Sequence, residues 1–138
     1  MGTALKFVKV TDINVIPRYL FEQVKPREFD IDRLYQWAPV LFKNPLNLLG
    51  AFIDKEESVK GVMWSSYNPI NNKLMVHVLS VDRGYQNKGI LREVLGILKK
   101  LQRSTQAEAV IGLTSRPRAM ERQMGFGRSN FVLMEKMK

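Results

Sequence analysis

Apolar and polar residues alternate along several short segments of the chain, which is the pattern of strands with one buried face. The pattern predicts strands at Leu5 to Val10, Leu48 to Ile53, Val59 to Tyr67, Lys73 to Val81, Ala109 to Leu113 and Phe131 to Met137. Turn-forming residues fill positions 54–58 and 68–72, between the second, third and fourth of these strands. Such turn-rich connections predict that the three strands form an antiparallel meander.

Helical spacing of apolar residues is clearest directly after the meander. One face of a predicted helix of about four turns carries Ile90, Leu91, Val94, Leu95, Leu98 and Leu101. A looser helix follows Asp30 or Asp32, where apolar residues recur every three or four positions and Pro39 is expected to introduce a kink. Two shorter helices are predicted at residues 13–16 and from Pro117 to Met124.

The predicted order of elements is strand, helices, three-strand meander, helix, strand, helix and strand. This order predicts a mixed α/β (α+β) fold, a sheet covered by helices, in one domain over residues 1–138. The strand, helix and strand between Lys73 and Leu113 form a crossover, which predicts a parallel pair with a right-handed connection. A ligand crevice is then expected at the carboxyl end of the first strand of the crossover.

The composition of the chain mainly excludes certain kinds of functional site. The 138 residues, 45% of them hydrophobic, suit one globular domain. The chain has no cysteine and one histidine, which excludes disulfides, cysteine nucleophiles and zinc sites built from cysteines or paired histidines. No metal site is therefore expected. No apolar run approaches the roughly 18 residues of a membrane span, so we expect a soluble, cytoplasmic protein without a membrane partner.

The formal net charge of +9 lies almost entirely in the second half of the chain. Residues 61–138 hold 13 basic and 5 acidic side chains, and the basic residues are interspersed with apolar positions. This distribution favours a folded anion-binding site over a disordered basic tail. Charge alone leaves two alternatives open, a nucleic-acid-binding protein and a solvated basic surface without a ligand.

The segment Asp82–Arg92 joins the predicted strand to the amphipathic helix and carries two glycines and three basic residues. Unpaired backbone N–H groups at the start of such a helix bind phosphate. Ile90 and Leu91 stand where a nucleotide-binding P-loop needs Lys and Ser or Thr, which argues against an NTPase. The Gly-x-Gly-x-x-Gly fingerprint of a dinucleotide site is absent from the segment as well.

The strand residues Val78–Val81 and the following Gln86-Asn-Lys-Gly-Ile-Leu91 resemble the acetyl-CoA loop of the GNAT N-acetyltransferase superfamily. The pattern of that loop is Gln/Arg-x-x-Gly-x-Gly/Ala between a strand and a helix. Met124-Gly-Phe126 and Val132-Leu-Met134 resemble the closing helix, Gly-Phe turn and last strand of the family, and the element order agrees from Lys6 onward. The resemblance implies one GNAT-like domain with a mixed, mostly antiparallel sheet of six to seven strands flanked by helices.

The resemblance also implies acetyl-CoA as the acyl donor and a primary amine of unknown identity as the acceptor, in a direct attack on the thioester. In the family, the strand before the loop binds the pantetheine arm through backbone amides, and the loop binds the diphosphate. Carried over, the cofactor-binding residues are Leu79, Ser80, Val81, Gln86, Asn87, Lys88, Gly89, Ile90, Leu91 and Arg92. The phosphates of the cofactor then account for much of the basic charge, which disfavours nucleic acid as the partner. Monomer and homodimer both remain open.

Three positions depart from the family pattern. Leu91 stands in place of Gly or Ala, Thr114 stands where the family often has Asn, and Glu121 stands where the family has the tyrosine that protonates the CoA thiolate. Glu121 is a candidate general acid if burial keeps it protonated, and an ion-paired surface residue is the alternative. His77 is the candidate general base because it titrates near neutrality, and strand alternation predicts that it shares a face with Leu79 and Val81.

Alternatives to this catalytic assignment remain. His77 could be a packed residue, with water accepting the proton of the amine instead. The missing tyrosine also leaves open a GNAT-fold module that binds CoA without catalysis. The leading hypothesis from the sequence is an acetyl-CoA-dependent N-acetyltransferase.

Overall fold

A five-stranded mixed sheet organises the residues that the computed structural model describes, which are 5–25, 29–85, 90–112, 122, 125–129 and 134–137. The strands follow one another across the sheet in chain order: β1 (Lys6–Lys9), β2 (Asn47–Ile53), β3 (Val59–Asn68), β4 (Lys73–Val81) and β5 (Ala109–Gly112). The first four strands pair antiparallel, whereas β4 and β5 pair parallel. The meander and the parallel pair predicted from the sequence are both confirmed.

Three α-helices accompany the sheet in the described residues: α1 (Arg18–Glu22), α2 (Ile31–Leu41) and α3 (Ile90–Thr105). A 3₁₀ turn at Ile13–Val15 lies where the sequence predicted a short helix. Asp30 caps α2, its Oδ1 accepting from the backbone N–H of Arg33 at 3.2 Å, and the helix continues through Pro39. The sequence pattern did not predict α1. Pro17 is the N-cap residue of α1, and the fixed backbone of proline is compatible with a helix start.

Each face of the sheet is covered by its own hydrophobic core. On one face, buried residues from α1 and α2 pack against the sheet, and this core includes Ile16, Leu20, Phe21, Leu34, Leu49, Val62 and Val78. On the other face, α3 packs against the sheet, and this core includes Phe52, Met63, Leu74, Val81, Ile90, Val94 and Leu98. Because alternate residues of β4 enter opposite cores, both helical layers fix its position.

The expectation of six to seven strands is wrong for the residues that the structure describes, which form five. The predicted final strand, Phe131 to Met137, lies partly outside the described residues. Its described part, residues 134–137, pairs with no strand, and Met134 and Met137 are 84% and 78% exposed. Apolar alternation and the resemblance of Val132-Leu-Met134 to the last strand of the family gave that prediction, but alternation makes a ladder only where another strand pairs with the segment. The predicted short helix at Pro117 to Met124 lies almost entirely outside the described residues.

One irregularity interrupts the ladder between β3 and β4. Trp64 pairs with Val78 and Ser65 pairs with Val76, so His77 is an extra residue without a partner on β3. This is a β-bulge, which bends a strand and redirects the side chains around it. The bulge therefore decides where the only histidine of the chain points.

The hydroxyl of Ser65, beside the bulge, is the one fully buried side-chain polar group without a hydrogen-bond partner in the described ranges. A buried donor without a partner carries a desolvation cost that folding does not recover. We expect Ser65→Ala to raise the free energy of unfolding by about 1 kcal/mol. Urea unfolding at unchanged m-value measures this, and a loss of stability of similar size would contradict it.

Candidate functional site

The site begins where β4 extends past its parallel neighbour. Pairing between β4 and β5 covers Lys73 to Val76 opposite Ala109 to Gly112, whereas β4 continues to Val81. Over residues 77–80, the edge of β4 that faces away from β3 has no strand partner among the described residues. Such an edge presents main-chain N–H and C=O groups to a ligand.

The bulge turns His77 away from the position that simple alternation predicts. Leu79 and Val81 pack in the core under α3, but the imidazole of His77 lies against the indole of Trp64, which packs with the core of α1 and α2. The predicted common face of His77, Leu79 and Val81 is therefore wrong, because a bulge shifts the two-residue period by one.

His77 is half-buried and held by two contacts. Its Nε2 lies 2.6 Å from Oγ of Ser66 on β3, and its ring centroid lies 4.5 Å from that of Trp64 at an interplanar angle of 31°. Burial lowers the pKa of His77 from its ordinary value, because an apolar environment disfavours the imidazolium. The imidazole is thus neutral at pH 7, the form that can accept a proton.

Helix α1 is bonded to the carboxyl end of β4 through one amide. Nε2 of Gln23, the C-cap residue of α1, donates to Oγ of Ser80 at 2.7 Å and to the carbonyl oxygen of Val81 at 2.8 Å. Ser80 is buried, and this bond satisfies its hydroxyl. Sequence reasoning missed Gln23, because a contact between residues 57 positions apart leaves no local pattern.

A second contact of α1 fixes the turn after β4. The hydroxyl of Tyr19 donates to Oδ2 of Asp82 at 2.6 Å, and Oδ1 of Asp82 accepts from the backbone N–H of Gly84 at 2.9 Å. The turn at Arg83–Tyr85 is a single 3₁₀ turn that leads toward α3. Tyr19, Glu22, Gln23, Asp82 and Arg83 line a groove of about 400 Å³ at this end of the strand.

The contact between Tyr19 and Asp82 shifts the pKa of both side chains. Burial and the neighbouring carboxylate raise the pKa of Tyr19 to about 12. The hydrogen bonds from Tyr19 and from the Gly84 N–H lower the pKa of Asp82. Both shifts favour the pair of neutral phenol and ionised carboxylate at neutral pH.

The predicted cofactor-binding residues fall into two groups. Leu79, Ser80 and Val81 form the end of β4, and Ile90, Leu91 and Arg92 form the first turn of α3, with Ile90 buried and Arg92 exposed. Gln86, Asn87, Lys88 and Gly89 lie outside the described residues, as does Glu121. Eight residues, 82–89, separate these two flanks of the predicted loop along the chain, and Val81 and Ile90 belong to the same hydrophobic core.

No helix within the described ranges combines the length and apolarity needed to cross a membrane. No protein-family model matches the chain, and no curated protein matches it.

Solved structures do match it over nearly its whole length. Aminoglycoside 6'-N-acetyltransferase AAC(6')-Ih from Acinetobacter baumannii superposes with a TM-score of 0.75 at 13% identity, covering 97% of this chain and 98% of that one. An acetyltransferase from Trypanosoma brucei has a TM-score of 0.72 at 15% identity, covering 96% and 99%. A predicted acetyltransferase from Clostridium acetobutylicum, solved with acetyl-CoA, has a TM-score of 0.71 at 13% identity, covering 96% of each chain.

The chain has the fold of GNAT-type acetyltransferases. This similarity confirms, at the level of the fold, the resemblance drawn from the motif at residues 78–91 and from the element order.

The pKa of Asp82 tests this geometry, because the hydrogen bond from Tyr19 lowers it. We expect Tyr19→Phe to raise the pKa of Asp82 toward 3.8. A lowered carboxyl pKa contributes stability above the unfolded pKa that is lost as pH falls through the folded pKa. The variant should therefore be less stable than the parent at pH 7, by about 1 kcal/mol, with a difference that shrinks in acid.

Carboxyl-carbon NMR titration and urea unfolding measure the two quantities. Tyr35→Phe is the matched control, because the Tyr35 hydroxyl donates to the carbonyl of Ile16 and not to Asp82. An Asp82 titration that is the same in parent and Tyr19→Phe would contradict the assignment.

Proposed function

We propose that the protein is an N-acetyltransferase that transfers an acetyl group from acetyl-CoA to a primary amine. The observation that carries the proposal is that β4 extends beyond the end of its pairing with β5, and that a 3₁₀ turn at Arg83–Tyr85 and then α3 from Ile90 follow it along the chain. A strand edge and a helix N-terminus together offer main-chain donors to an elongated, anionic cofactor.

The described residues fit such a cofactor. The edge of β4 at Leu79 and Ser80 suits the amides of a pantetheine arm, and the N-terminus of α3 suits a diphosphate. Arg83 and Arg92 are exposed beside these two flanks and supply positive charge. We assign Leu79, Ser80, Val81, Ile90, Leu91 and Arg92, with Gln86, Asn87, Lys88 and Gly89 between them, to cofactor binding.

When bound, acetyl-CoA supplies an acetyl thioester, whose C–S bond breaks as the amine nitrogen forms the new C–N bond. Backbone N–H groups of β4 near Leu79 would stabilise negative charge on the carbonyl oxygen. A neutral His77 would accept the proton that the attacking amine loses. Glu121 is the candidate donor of the proton that the leaving thiolate takes up, and solvent is the alternative donor.

A non-catalytic CoA-binding module is the second candidate. The substitution of Glu121 for the tyrosine of the family pattern favours it. Calorimetry with acetyl-CoA, together with CoA release measured over a panel of amines, separates the two functions. Binding with turnover on any amine supports the enzyme, and binding without turnover supports the module. No binding of acetyl-CoA would overturn both functions.

The loop assignment predicts the effect of a bulky residue at Gly89. We expect Gly89→Trp to abolish measurable acetyl-CoA binding in calorimetry while the circular dichroism spectrum stays that of the parent, because an indole would fill the space of the diphosphate. Gly96→Trp is the matched control, since Gly96 is exposed on α3 with open space around it. Retained affinity in the Gly89 variant would contradict the assignment.

The base assignment predicts the kinetics of a His77 variant. We expect His77→Gln to lower kcat by about 10²-fold with the KM for acetyl-CoA unchanged, because the base acts on the amine and not on the cofactor. In the parent, kcat/KM should rise with pH through a midpoint below 6.5, since burial lowers the pKa of His77 and the neutral form is the active one. If His77→Gln keeps the kcat and the pH profile of the parent, His77 is not the base and water accepts the proton instead.

A further inference from the structure

The contact between His77 and Ser66 determines which imidazole nitrogen is available for chemistry. The bulge places the imidazole of His77 over β3, and its Nε2 lies 2.6 Å from the Oγ of Ser66. A neutral imidazole carries one proton, so one nitrogen donates and the other accepts. Which nitrogen carries the proton decides whether the ring has a free lone pair that can accept a proton from an amine.

If Ser66 donates to Nε2, the proton of the ring sits on Nδ1 and neither nitrogen is free to act as a base. If Nε2–H instead donates to Ser66, the lone pair of Nδ1 is free. Among the residues that the structure describes, Nδ1 of His77 has no hydrogen-bond partner. Ser66 is half-buried, so its own O–H can donate to water while its oxygen accepts from the ring.

The orientation of the ring is fixed from its face as well as from its edge. The indole of Trp64 covers one face of the imidazole, and the Trp64 Nε1–H donates to Oδ1 of Asn47 at 3.2 Å. Nδ2 of Asn47 in turn donates to the carbonyl of Leu41 at the end of α2, at 3.1 Å. This chain of contacts holds the ring plane, so that Nε2 stays directed at Ser66.

We propose that Ser66 is a positioning residue that accepts the Nε2–H of His77 and leaves Nδ1 as the proton acceptor. The kinetic part of this inference rests on the proposed acetyltransferase function, whereas the tautomer is a property of the free protein. Ser66 acts through His77 and touches no reacting atom in this assignment.

The tautomer is directly measurable, because His77 is the only histidine in the chain. In protein labelled with ¹⁵N-histidine, at a pH above the imidazole pKa, we expect Nε2 to resonate as a protonated, pyrrole-type nitrogen and Nδ1 as a pyridine-type nitrogen. The reverse pattern would overturn the proposal. So would a tautomer ratio that is the same in the parent and in Ser66→Ala.

Kinetics of the serine variants test the positioning role. We expect Ser66→Ala to lower kcat roughly five- to tenfold, as the loss of one orienting hydrogen bond does, with the KM for acetyl-CoA unchanged. Ser66→Thr keeps the hydroxyl and should restore both kcat and the tautomer.

Ser65→Ala is the matched control on the same strand. Its hydroxyl contacts neither His77 nor any other polar group in the described residues, so tautomer and kcat should stay those of the parent. If no amine is turned over, the proposed enzyme fails, and the ¹⁵N spectra of the parent and Ser66→Ala still decide the tautomer. If turnover occurs but Ser66→Ala leaves both kcat and the spectra unchanged, the positioning role alone fails.

Discussion

The pairing of β4 with its two neighbours is the constraint on which the rest of the site depends. Along its β3 side the strand is paired from Lys73 to Val81 apart from the bulge at His77, but along its β5 side the described residues pair with it only from Lys73 to Val76. One edge of the same strand is therefore fixed, while residues 77–80 of the other edge have no strand partner in the described ranges. Two cores hold this arrangement, since Val78 is buried under α1 and α2 and Val81 under α3.

The single-residue bulge in β4 converts this strand into a candidate catalytic element. Without it, His77 would point into the same layer as Leu79 and would compete with α3 for space. With it, the imidazole is stacked on Trp64, bonded to Ser66 and half-buried. Burial depresses its pKa by desolvation without an ion pair, so the ring is neutral at pH 7.

Local patterns predicted the elements of this fold well, and long-range contacts account for what they missed. Alternation predicted β4 with the bounds that the structure shows, and helical spacing predicted α3 from Ile90 onward. The bulge at His77 depends on how β3 and β4 pair, and the sequence of one strand alone does not show that pairing. Gln23 and Ser66 owe their roles to partners on other elements, so their sequence neighbourhoods give no signal. The loop at residues 86–89 and Glu121 lie outside the described residues, and their roles remain predictions from the motif.

The open edge of β4 also bears on how far such a sequence can diverge. Main-chain groups at a strand edge and at a helix start keep their positions when side chains change, provided that the backbone path is kept. Selection on a site of this kind therefore constrains hydrophobic spacing and a few small residues more than it constrains residue identity. This explains how a chain that no family model recognises can superpose on acetyltransferases at 13% identity.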